Sequence, residues 1–467
     1  SAMKVSDFAA NHPTLDRICR PLGMYHVYTS VWFSAIYLLL FISLIGCIVP
    51  RIVSHAKALR RQPPRVPARL DRLAAHASMI TSASAVEVSQ RAQQWLTSHR
   101  YRFVVDDDGS LRAEAGRHRE TGNLVFHIFL VFVLVGVGWN TLWGFKGTSV
   151  VVEGQGFSNS ITQYDEFKAG AMVDTDNLTP FSMKLRKFVV SFETGTVQRG
   201  AARSFDASVD LTMGGKTQTR DLQVNHPLRI GSTKVHLLGH GYAADVVVRD
   251  GDGKVAYSGP VVFLPQDANF KSVGVIKVPD ARPDRLAFQG FFLPTGAITA
   301  GGPTSLFPDA LNPQLYLTAW YGKPTVETGV PSNIYTLDTT GLTQVTNGKD
   351  KARFVLSPGQ RYKLPDGKGS IQFNGWQRWA KIQVSQNPGL PLTFLSVVLS
   401  VAGLCVSLFS RSRRVWVRTI PGDDGLRVEI GGLDRSDSRS GAVDDVNSLL
   451  AALHGDSMSG DVGEEHS

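Results

Sequence analysis

The stretch that decides the fold runs from Asn123 to Phe145, NLVFHIFLVFVLVGVGWNTLWGF, and its 23 residues include no Asp, Glu, Lys or Arg. A helix rises about 1.5 Å per residue and needs roughly 20 apolar residues to cross the hydrocarbon core of a bilayer. Two further uncharged stretches meet this condition, Val31–Val49 with 19 residues and Gly389–Ser410 with 22 residues. We therefore predict three membrane-spanning helices rather than buried helices of a soluble domain.

Composition excludes several other classes of protein. The chain has 467 residues, of which 43% are hydrophobic, so it is long enough for two or three domains and is not a disordered polypeptide. Three cysteines are too few for a disulfide-stapled secreted module. Much of the net charge of +9 comes from arginines that flank the apolar stretches, which indicates anionic lipid and no nucleic-acid partner.

Positive charge is concentrated at one end of each apolar stretch, and this asymmetry predicts the orientation. The charged ends carry Arg51, Lys57, Arg60, Arg61, Arg65, Arg69, Arg72, Arg112, Arg117, Arg119, Arg411, Arg413, Arg414 and Arg418. Loops rich in Lys and Arg stay in the cytoplasm. We therefore expect residues 51–121 and 411–467 inside, and residues 1–30 and 146–388 outside the cell membrane of a bacterium.

The first span would then enter the membrane from outside, although no signal peptide precedes it. We expect a fourth apolar helix upstream of Ser1 in the full-length protein. The predicted order is an outer segment, a span, a small cytoplasmic α+β insert, a second span, an outer all-β domain, a third span and a partly disordered cytoplasmic tail. Their bounds are 1–30, 31–50, 51–121, 122–145, 146–388, 389–410 and 411–467.

The region 146–388 has the pattern of a β domain. Short runs rich in Val, Phe, Leu and Thr are separated by Gly, Pro, Asn and Asp, and no helical pattern alternates with them. This favours an antiparallel sandwich or barrel, with room for two packed lobes. The runs are Ser149–Glu153, Met183–Glu193, Ser204–Thr212, Thr217–Val224, Lys234–Leu238, Asp245–Arg249, Val255–Phe263, Gln314–Trp320 and Ser370–Val384.

The insert and the tail each show local signals of their own. In the insert, Ala85–Ser98 has helical spacing, and a hairpin is predicted around Asp106–Gly109, where the Asp-Gly ending indicates a turn rather than a metal site. In the tail, a hairpin is predicted around Gly422–Gly425, followed by a short helix over Asp444–Leu453 and then by a disordered remainder rich in Ser, Gly, Asp and Glu.

His127 is the one histidine inside an apolar stretch. An ionisable side chain in hydrocarbon is costly and marks a functional site by default. A neutral imidazole there can bind a haem iron or another metal, relay protons, or form a hydrogen bond to a neighbouring helix. These four alternatives remain open on the residues alone.

Three outer histidines are weaker candidates. His226, His236 and His240 lie within fifteen residues, but no Cys or carboxylate completes a zinc pattern, so we expect surface or structural roles. The run around His236 is interpreted as a strand that ends in a turn at Gly239, which places His236 and His240 on one face. The sequence also lacks CxxC, CxxCH, Walker, G-x-S-x-G and HExxH motifs, so no catalytic residue is assigned.

Several segments resemble the ResB/CcsB family, whose members form the β-domain-bearing half of the system II cytochrome c synthase. The resemblance spans nearly the whole chain and is weakest in the acidic tail. The segments that carry it are Val27–Phe33, Leu44–Arg51, Asn123–His127, Val224–Gly231 and Leu237–Tyr242. Family members usually have four spans, and only three are predicted here. The missing span would then be the first one in the full-length protein.

This resemblance implies a cargo and a set of partners. A CcsA/ResC-type membrane protein and the ResB/CcsB protein together move haem b across the membrane and present it to CxxCH apocytochromes c, whose thiols are kept reduced by thioredoxin-like proteins. His127 matches the position of a haem axial ligand, and no metal beyond the haem iron is implied. His226, in Asn225–Leu228, is a weaker candidate for contact with the cofactor.

The function predicted from the resemblance is a haem-handling subunit that is non-catalytic or supplies half of a haem lyase. The alternative is a membrane-anchored extracellular binding or sensing module with no role in haem transport, in which His127 only packs. A membrane enzyme that acts alone is disfavoured because the sequence contains none of the Walker, G-x-S-x-G and HExxH motifs.

Overall fold

A computed structural model describes residues 2–324, 336–423, 425–434 and 440–454. The described residues divide into two compact units, one within 1–138 and 389–467 and the other within 139–388. We call them the helical unit and the β unit. The α-helices are α1 (Ala2–Asn11), α2 (Pro13–Cys19), α3 (Val31–Arg60), α4 (Ala85–Ser98), α5 (His118–Trp143), α6 (Leu390–Phe409) and α7 (Ser440–His454).

All strand pairing within the sheets is antiparallel, as predicted for 146–388. The strands are β1 (Ala75–Thr81), β2 (Arg102–Val105), β3 (Leu111–Ala115), β4 (Phe145–Val152), β5 (Gly156–Ser158), β6 (Glu166–Ala169), β7 (Ser182–Phe192), β8 (Ala202–Met213), β9 (Lys216–Gln223), β10 (Leu228–Ile230), β11 (Thr233–Arg249), β12 (Val255–Pro265), β13 (Ser272–Val278), β14 (Arg285–Leu293), β15 (Gly296–Thr299), β16 (Gly302–Ser305), β17 (Gln314–Gly322), β18 (Thr343–Gln344), β19 (Thr346–Asn347), β20 (Asp350–Lys351), β21 (Arg353–Leu356), β22 (Arg361–Lys363), β23 (Ser370–Gln386), β24 (Arg413–Gly422) and β25 (Gly425–Asp434).

Three helices, α3, α5 and α6, are long and apolar enough to cross a membrane. They coincide with the three predicted stretches to within two residues, except that α3 and α5 each extend further at the arginine-rich end. The helix α3 continues for ten residues beyond Pro50 to Arg60, and α5 begins at His118. Proline blocks a helix mainly toward its own N-terminal side, while the Ala, Lys, Leu and Arg residues that follow are good helix formers. The helix α3 therefore continues beyond the end of the apolar stretch at Val49.

The predicted insert and tail are parts of one folded layer, which corrects their separation into two regions. A five-stranded sheet has the order β1-β25-β24-β3-β2, so two strands from the end of the chain lie in its middle. The helices α4 and α7 supply Val88, Leu96, Val446 and Leu449 to the core of this layer. The predicted disordered remainder falls mainly on 435–439 and 455–467, outside the described residues.

A charged cluster fastens this layer together. Asp445 of α7 binds Arg413 of β24, with Nη1–Oδ2 at 2.8 Å, and accepts a hydrogen bond of 2.6 Å from the Tyr101 hydroxyl. Asp445 thus lies inside α7, because the helix begins at Ser440 and not at the predicted Asp444. Desolvation and the neighbouring Asp445 carboxylate raise the pKa of Tyr101, so its hydroxyl stays a donor at all physiological pH values.

The β unit contains a twelve-stranded sheet and a four-stranded sheet. Nine strands of the large sheet follow the path β18-β17-β14-β13-β12-β11-β23-β4-β6. The other three pair beside this path: β10 with β11, β21 with β17 and β22 with β23. The small sheet has the order β5-β7-β8-β9. Two hydrophobic cores fill the unit, one around Tyr242, Phe288 and Phe373, the other around Phe157 and Phe188.

The paired strands β11 and β23, of 17 residues each, extend through both cores. Val235 packs in one core and Val246 in the other. Leu238 is an extra residue between the pairs Leu237–Ile382 and Gly239–Lys381, which defines a β-bulge. A bulge shifts the alternation of a strand by one residue, so the strand changes the face that it buries.

Candidate functional site

His127 lies on α5 and its ring orientation is fixed by the backbone of its own helix. Its Nδ1 lies 2.7 Å from the carbonyl oxygen of Asn123, one turn earlier. A carbonyl only accepts, so Nδ1 carries the proton and donates it, and in the neutral imidazole the lone pair is then on Nε2. This is the tautomer of metal-binding histidines whose second nitrogen is held by a backbone carbonyl.

A cavity of about 740 Å³ opens beside His127 within the helical unit. Its volume falls in the range of roughly 300 to 1,000 Å³ that is typical of small-molecule and cofactor sites. The residues of α3 and α5 that line the cavity recur every three or four positions, so each helix turns one face toward it. The residues that line the cavity include Ile48, Arg51, His55, Arg61, Glu114, Arg117, Arg119, Glu120, Asn123, Leu124, His127, Ser407 and Arg414.

The cavity changes character along α5. Leu124 and His127 lie in the apolar part of the helix, whereas Arg119 lies eight residues before His127, about 12 Å along the axis. Five arginines and two glutamates line the cavity, so positive charge is in excess by three. The site therefore combines an apolar end that carries an imidazole with a cationic end.

His55 is a second imidazole in this cavity, and the sequence analysis did not single it out. Its side chain is 11% exposed, Nε2 lies 3.0 Å from Thr121 Oγ1, and Nδ1 lies 3.6 Å from Glu120 Oε2. The second distance is too long for a hydrogen bond. Helical periodicity could have identified it, because Ile48, Arg51 and His55 are spaced three and four residues apart. The helix was predicted to end at residue 50, so His55 was not placed on it.

Small residues set the position of α5 against α6. A Cβ on Gly122 would lie 2.6 Å from the carbonyl oxygen of Gly403, and a Cβ on Gly403 would lie 2.8 Å from the backbone nitrogen of Phe126. The Ser400 hydroxyl donates a hydrogen bond of 3.3 Å to the Phe126 carbonyl oxygen. Small residues allow such close backbone contact between membrane helices. The contact lies within two turns of His127 and holds its side of the cavity in place.

His226 lies in the β unit, whereas His127 and the cavity belong to the helical unit. It sits in the exposed turn between β9 and β10, and its Nδ1 lies 3.3 Å from the Val224 carbonyl oxygen. Asn225 before it has a φ of 66°, a left-handed conformation that asparagine tolerates in turns. The structure does not bring His226 together with other candidate site residues.

The predicted arrangement of His236 and His240 is wrong. No turn occurs at Gly239; β11 continues to Arg249, and the bulge at Leu238 puts the two histidines on opposite faces, opposite Gln383 and Ala380. His240 is buried against Phe270, with ring centroids 4.6 Å apart, and its Nδ1 has no hydrogen-bond partner among the residues that the structure describes. It therefore has the structural role that was expected for it.

This burial predicts that acid destabilises the β unit. Desolvation, aided by the nearby Arg378 guanidinium, lowers the pKa of His240 from 6.5 to about 4. The unfolded chain takes up a proton at the ordinary pKa and the folded chain does not, so stability falls between pH 6.5 and 4, by up to about 3 kcal/mol. Hydrogen exchange of β11 amides across this pH range measures the loss.

The variant His240→Phe provides the comparison for this prediction. Its ring keeps the stacking on Phe270 and cannot titrate, so its pH dependence should be flatter than that of the parent chain. Parallel stability curves of the two proteins from pH 6.5 to 4 would show that His240 is not the responsible group.

Cysteine and metal chemistry have little support in the described part of the chain. Cys19 is half-buried, Cys47 and Cys405 are exposed, and all three are free thiols. Within the same residues, no group of three or more His, Cys, Asp or Glu side chains is placed to hold a metal ion. The imidazole-containing cavity is therefore the strongest candidate site.

Comparisons with known proteins show which family this chain is related to. A cytochrome c biogenesis protein CcsB of Synechococcus sp. (strain JA-3-3Ab) is 23% identical over 402 residues, 86% of this chain and 72% of that protein. The CcsB of Microcystis aeruginosa is 22% identical over 414 residues, 88% and 77% of the two chains. The CcsB of Picosynechococcus sp. is 28% identical over 210 residues, 44% and 42% of the two chains. The model of the ResB-like family matches residues 1–443, and the chain belongs to that family.

Proposed function

We propose that this protein acts in cytochrome c biogenesis as the haem-handling, β-domain-bearing subunit of a system II synthase. The observation that carries the proposal is the half-buried His127, whose Nε2 is left with a lone pair beside a cavity of cofactor size. The names of its relatives, cytochrome c biogenesis protein CcsB, support the process. The cargo is haem b, and His127 provides one axial ligand to its iron.

We propose the following orientation in a bacterial cell membrane. The arginine-rich ends of α3, α5 and α6 face the cytoplasm together with the five-stranded sheet, and residues 146–388 lie outside. The cavity then lies on the cytoplasmic side, with its cationic end toward the source of haem. This orientation is supported by the distribution of Arg and Lys in the sequence.

The second axial ligand comes from a CcsA/ResC-type partner. His127 is the one histidine within the three uncharged stretches of this chain. Large apolar side chains of α3 such as Leu39 and Ile42 are 67% and 66% exposed, and α6 exposes Phe394 at 70%. Such surfaces suit both lipid and the helices of a membrane partner.

The outer β domain receives the apocytochrome. There the two cysteine thiols of a CxxCH segment add across the haem vinyl groups, each forming a carbon–sulfur bond while its proton goes to the adjacent vinyl carbon. This chain lacks a CxxC pair. As the family resemblance implies, thioredoxin-like proteins keep the apocytochrome thiols reduced, and the addition itself is completed with the partner. His226 stays a weak candidate for contact with the cofactor.

The replacement His127→Ala tests the ligand role. The full chain, purified in detergent with a CcsA-type partner, should lose at least nine-tenths of its bound haem because one coordinate bond to iron is removed. The Soret absorbance per complex measures this loss. In a His127→Gly protein, added imidazole should restore the band, which a packing role for His127 would not predict.

Two histidines of the β unit complete this test. His236→Ala is the control and should retain the Soret band, whereas His226→Ala tests the weaker candidate; loss of the band in His226→Ala alone would move the haem site to the β unit. Unchanged haem in His127→Ala, with the complex intact, would eliminate the ligand assignment. Absence of haem from every preparation would leave the membrane-anchored binding module as the better function.

A further inference from the structure

The cationic end of the cavity has more positive charge than its own carboxylates neutralise. Arg117 is paired with Glu114, with Nε–Oε1 at 3.4 Å. Among the described residues, Arg51, Arg61 and Arg414 have no carboxylate within the 4.0 Å limit of an ion pair. A cleft lined by one sign of charge raises the local concentration of ligands of the opposite sign. The cavity is therefore suited to an anionic ligand.

Arg51 is linked to His127 through a single residue. Its Nη1 donates to the side-chain oxygen of Asn123 at 3.3 Å, and the backbone oxygen of Asn123 accepts from His127 Nδ1 at 2.7 Å. Asn123 thus holds a guanidinium and an imidazole on the same side of α5. A ligand that meets His127 Nε2 lies within the same cavity as the Arg51 guanidinium.

Arg414 reaches the cavity from the five-stranded sheet. It is half-buried on β24, directly across from Glu114 on β3. The Glu114 carboxylate contacts Arg117 instead, so the half-buried Arg414 has no ion-pair partner within the described part of the chain. A desolvated charge without a counter-ion is costly, and an anionic ligand removes that cost.

We propose that Arg51 and Arg414 bind the two propionate carboxylates of a porphyrin in this cavity. Both carboxylates leave one edge of the ring, and two guanidiniums from different elements can each take one in paired, charge-assisted hydrogen bonds. The ring itself lies toward Ile48 and Leu124, on the side of His127. This inference rests on the proposed function, since it concerns the same site, and it makes the site selective for free-acid porphyrins.

The test uses a ligand without iron, so that it does not depend on the axial bond. Metal-free protoporphyrin IX and its dimethyl ester are titrated into the full chain in detergent, with porphyrin fluorescence as the readout. We expect the free acid to bind at least tenfold more tightly than the ester, because the ester has no charge for the arginines. Arg51→Gln and Arg414→Gln should each weaken free-acid binding about tenfold and leave ester binding unchanged.

Arg60→Gln and Arg411→Gln are the matched controls. Both arginines are exposed, adjacent in the chain to cavity residues and absent from the cavity wall. They should bind both porphyrins like the parent chain. An equal loss in all four variants would indicate a general electrostatic effect and would overturn the assignment of Arg51 and Arg414. Equal affinity of the parent for acid and ester would overturn it as well.

The same titrations separate this inference from the proposed function. His127→Ala should keep its affinity for metal-free protoporphyrin and lose affinity for haem. Arginine-dependent binding of the free acid, with haem affinity unchanged in His127→Ala, supports the propionate site and refutes the axial ligand. If phosphatidylglycerol at low mole fraction displaces the free acid and no preference over the ester exists, the cavity is a lipid headgroup site and the inference fails.

Discussion

A chain that ends at Ser410 is expected to lose the whole five-stranded sheet, not a peripheral tail. Truncation removes β24 and β25, and β1 then has no neighbour in the sheet, while β2 and β3 remain as an isolated hairpin. Seven side chains with at most 2% exposure leave the core. They are Val415, Val417, Val428, Ile430, Val446, Leu449 and Leu453.

The size of this loss is comparable to the stability of a whole domain. A fully buried aliphatic side chain contributes about 1.5–3 kcal/mol, so seven of them together contribute about 10–21 kcal/mol, against the roughly 5–15 kcal/mol that hold a domain folded. An isolated hairpin is at best marginally stable in water. The α4 helix, whose Val88 and Leu96 pack in the same core, should therefore lose its protection too.

Hydrogen exchange of the detergent-solubilised protein measures the effect. Amides of β1, β2, β3 and α4 should exchange within seconds in the truncated chain, while the paired strands β11 and β23 of the β unit keep their protection. A chain that ends at His454 retains every described element and is the matched control. Full protection of β1 in the chain that ends at Ser410 would contradict the central place of β24 and β25.

The two hairpins of this sheet were predictable from sequence, but their association was not. Each hairpin has a local signature, an Asp-Gly or Gly-rich turn between β-type runs. Pairing of β24 with β3 brings together residues such as Val415 and Ala113, which are about 300 positions apart. Hydrophobic periodicity reports which face a strand buries and does not report its partner. The strand β1 was missed for a different reason, because its AHASMIT sequence is weakly apolar and gives little strand signal.

The histidine of the candidate site could be predicted from the sequence, but the arginines that meet it in the cavity could not. His127 was identified because an ionisable residue in an uncharged stretch is costly. Arg51 and Arg414 were used for orientation only, because in the sequence they are flanking charges. Their convergence on one cavity needs the helical continuation of α3 to Arg60 and the return of β24 to the sheet. The bulge at Leu238 was likewise invisible, because one extra residue leaves the β pattern on either side intact.

A methyl group at Gly122 is expected to separate α5 from α6 and to disturb the cavity. The added Cβ of Gly122→Ala would lie 2.6 Å from both the Gly403 carbonyl oxygen and the Ser407 nitrogen. Both are backbone atoms, so no side-chain rotation relieves the clash and the helices must move apart. Overpacking of this kind costs about 1–3 kcal/mol, and Gly122→Val should cost more.

The functional consequence follows from the position of this contact. Gly122 lies five residues before His127 on α5, and Ser407 lines the cavity. Displacement of α6 should therefore lower haem retention at the same time as it lowers the thermal unfolding midpoint. Misplacement by about 1 Å is enough to impair a ligand-binding constellation. We expect at least a fivefold loss of bound haem in Gly122→Ala and complete loss in Gly122→Val.

Gly46→Ala is the matched control, because it places the same methyl group on another helix of the same kind. Gly46 lies within α3, and a Cβ there has no atom within 4 Å. Alanine is preferred to glycine in a helix by up to about 1 kcal/mol, so this variant should be neutral or slightly more stable. Thermal unfolding and Soret absorbance are measured on both proteins. If Gly122→Ala matches Gly46→Ala in both, then α5 and α6 do not meet at Gly122, and the position of His127 is set by other contacts.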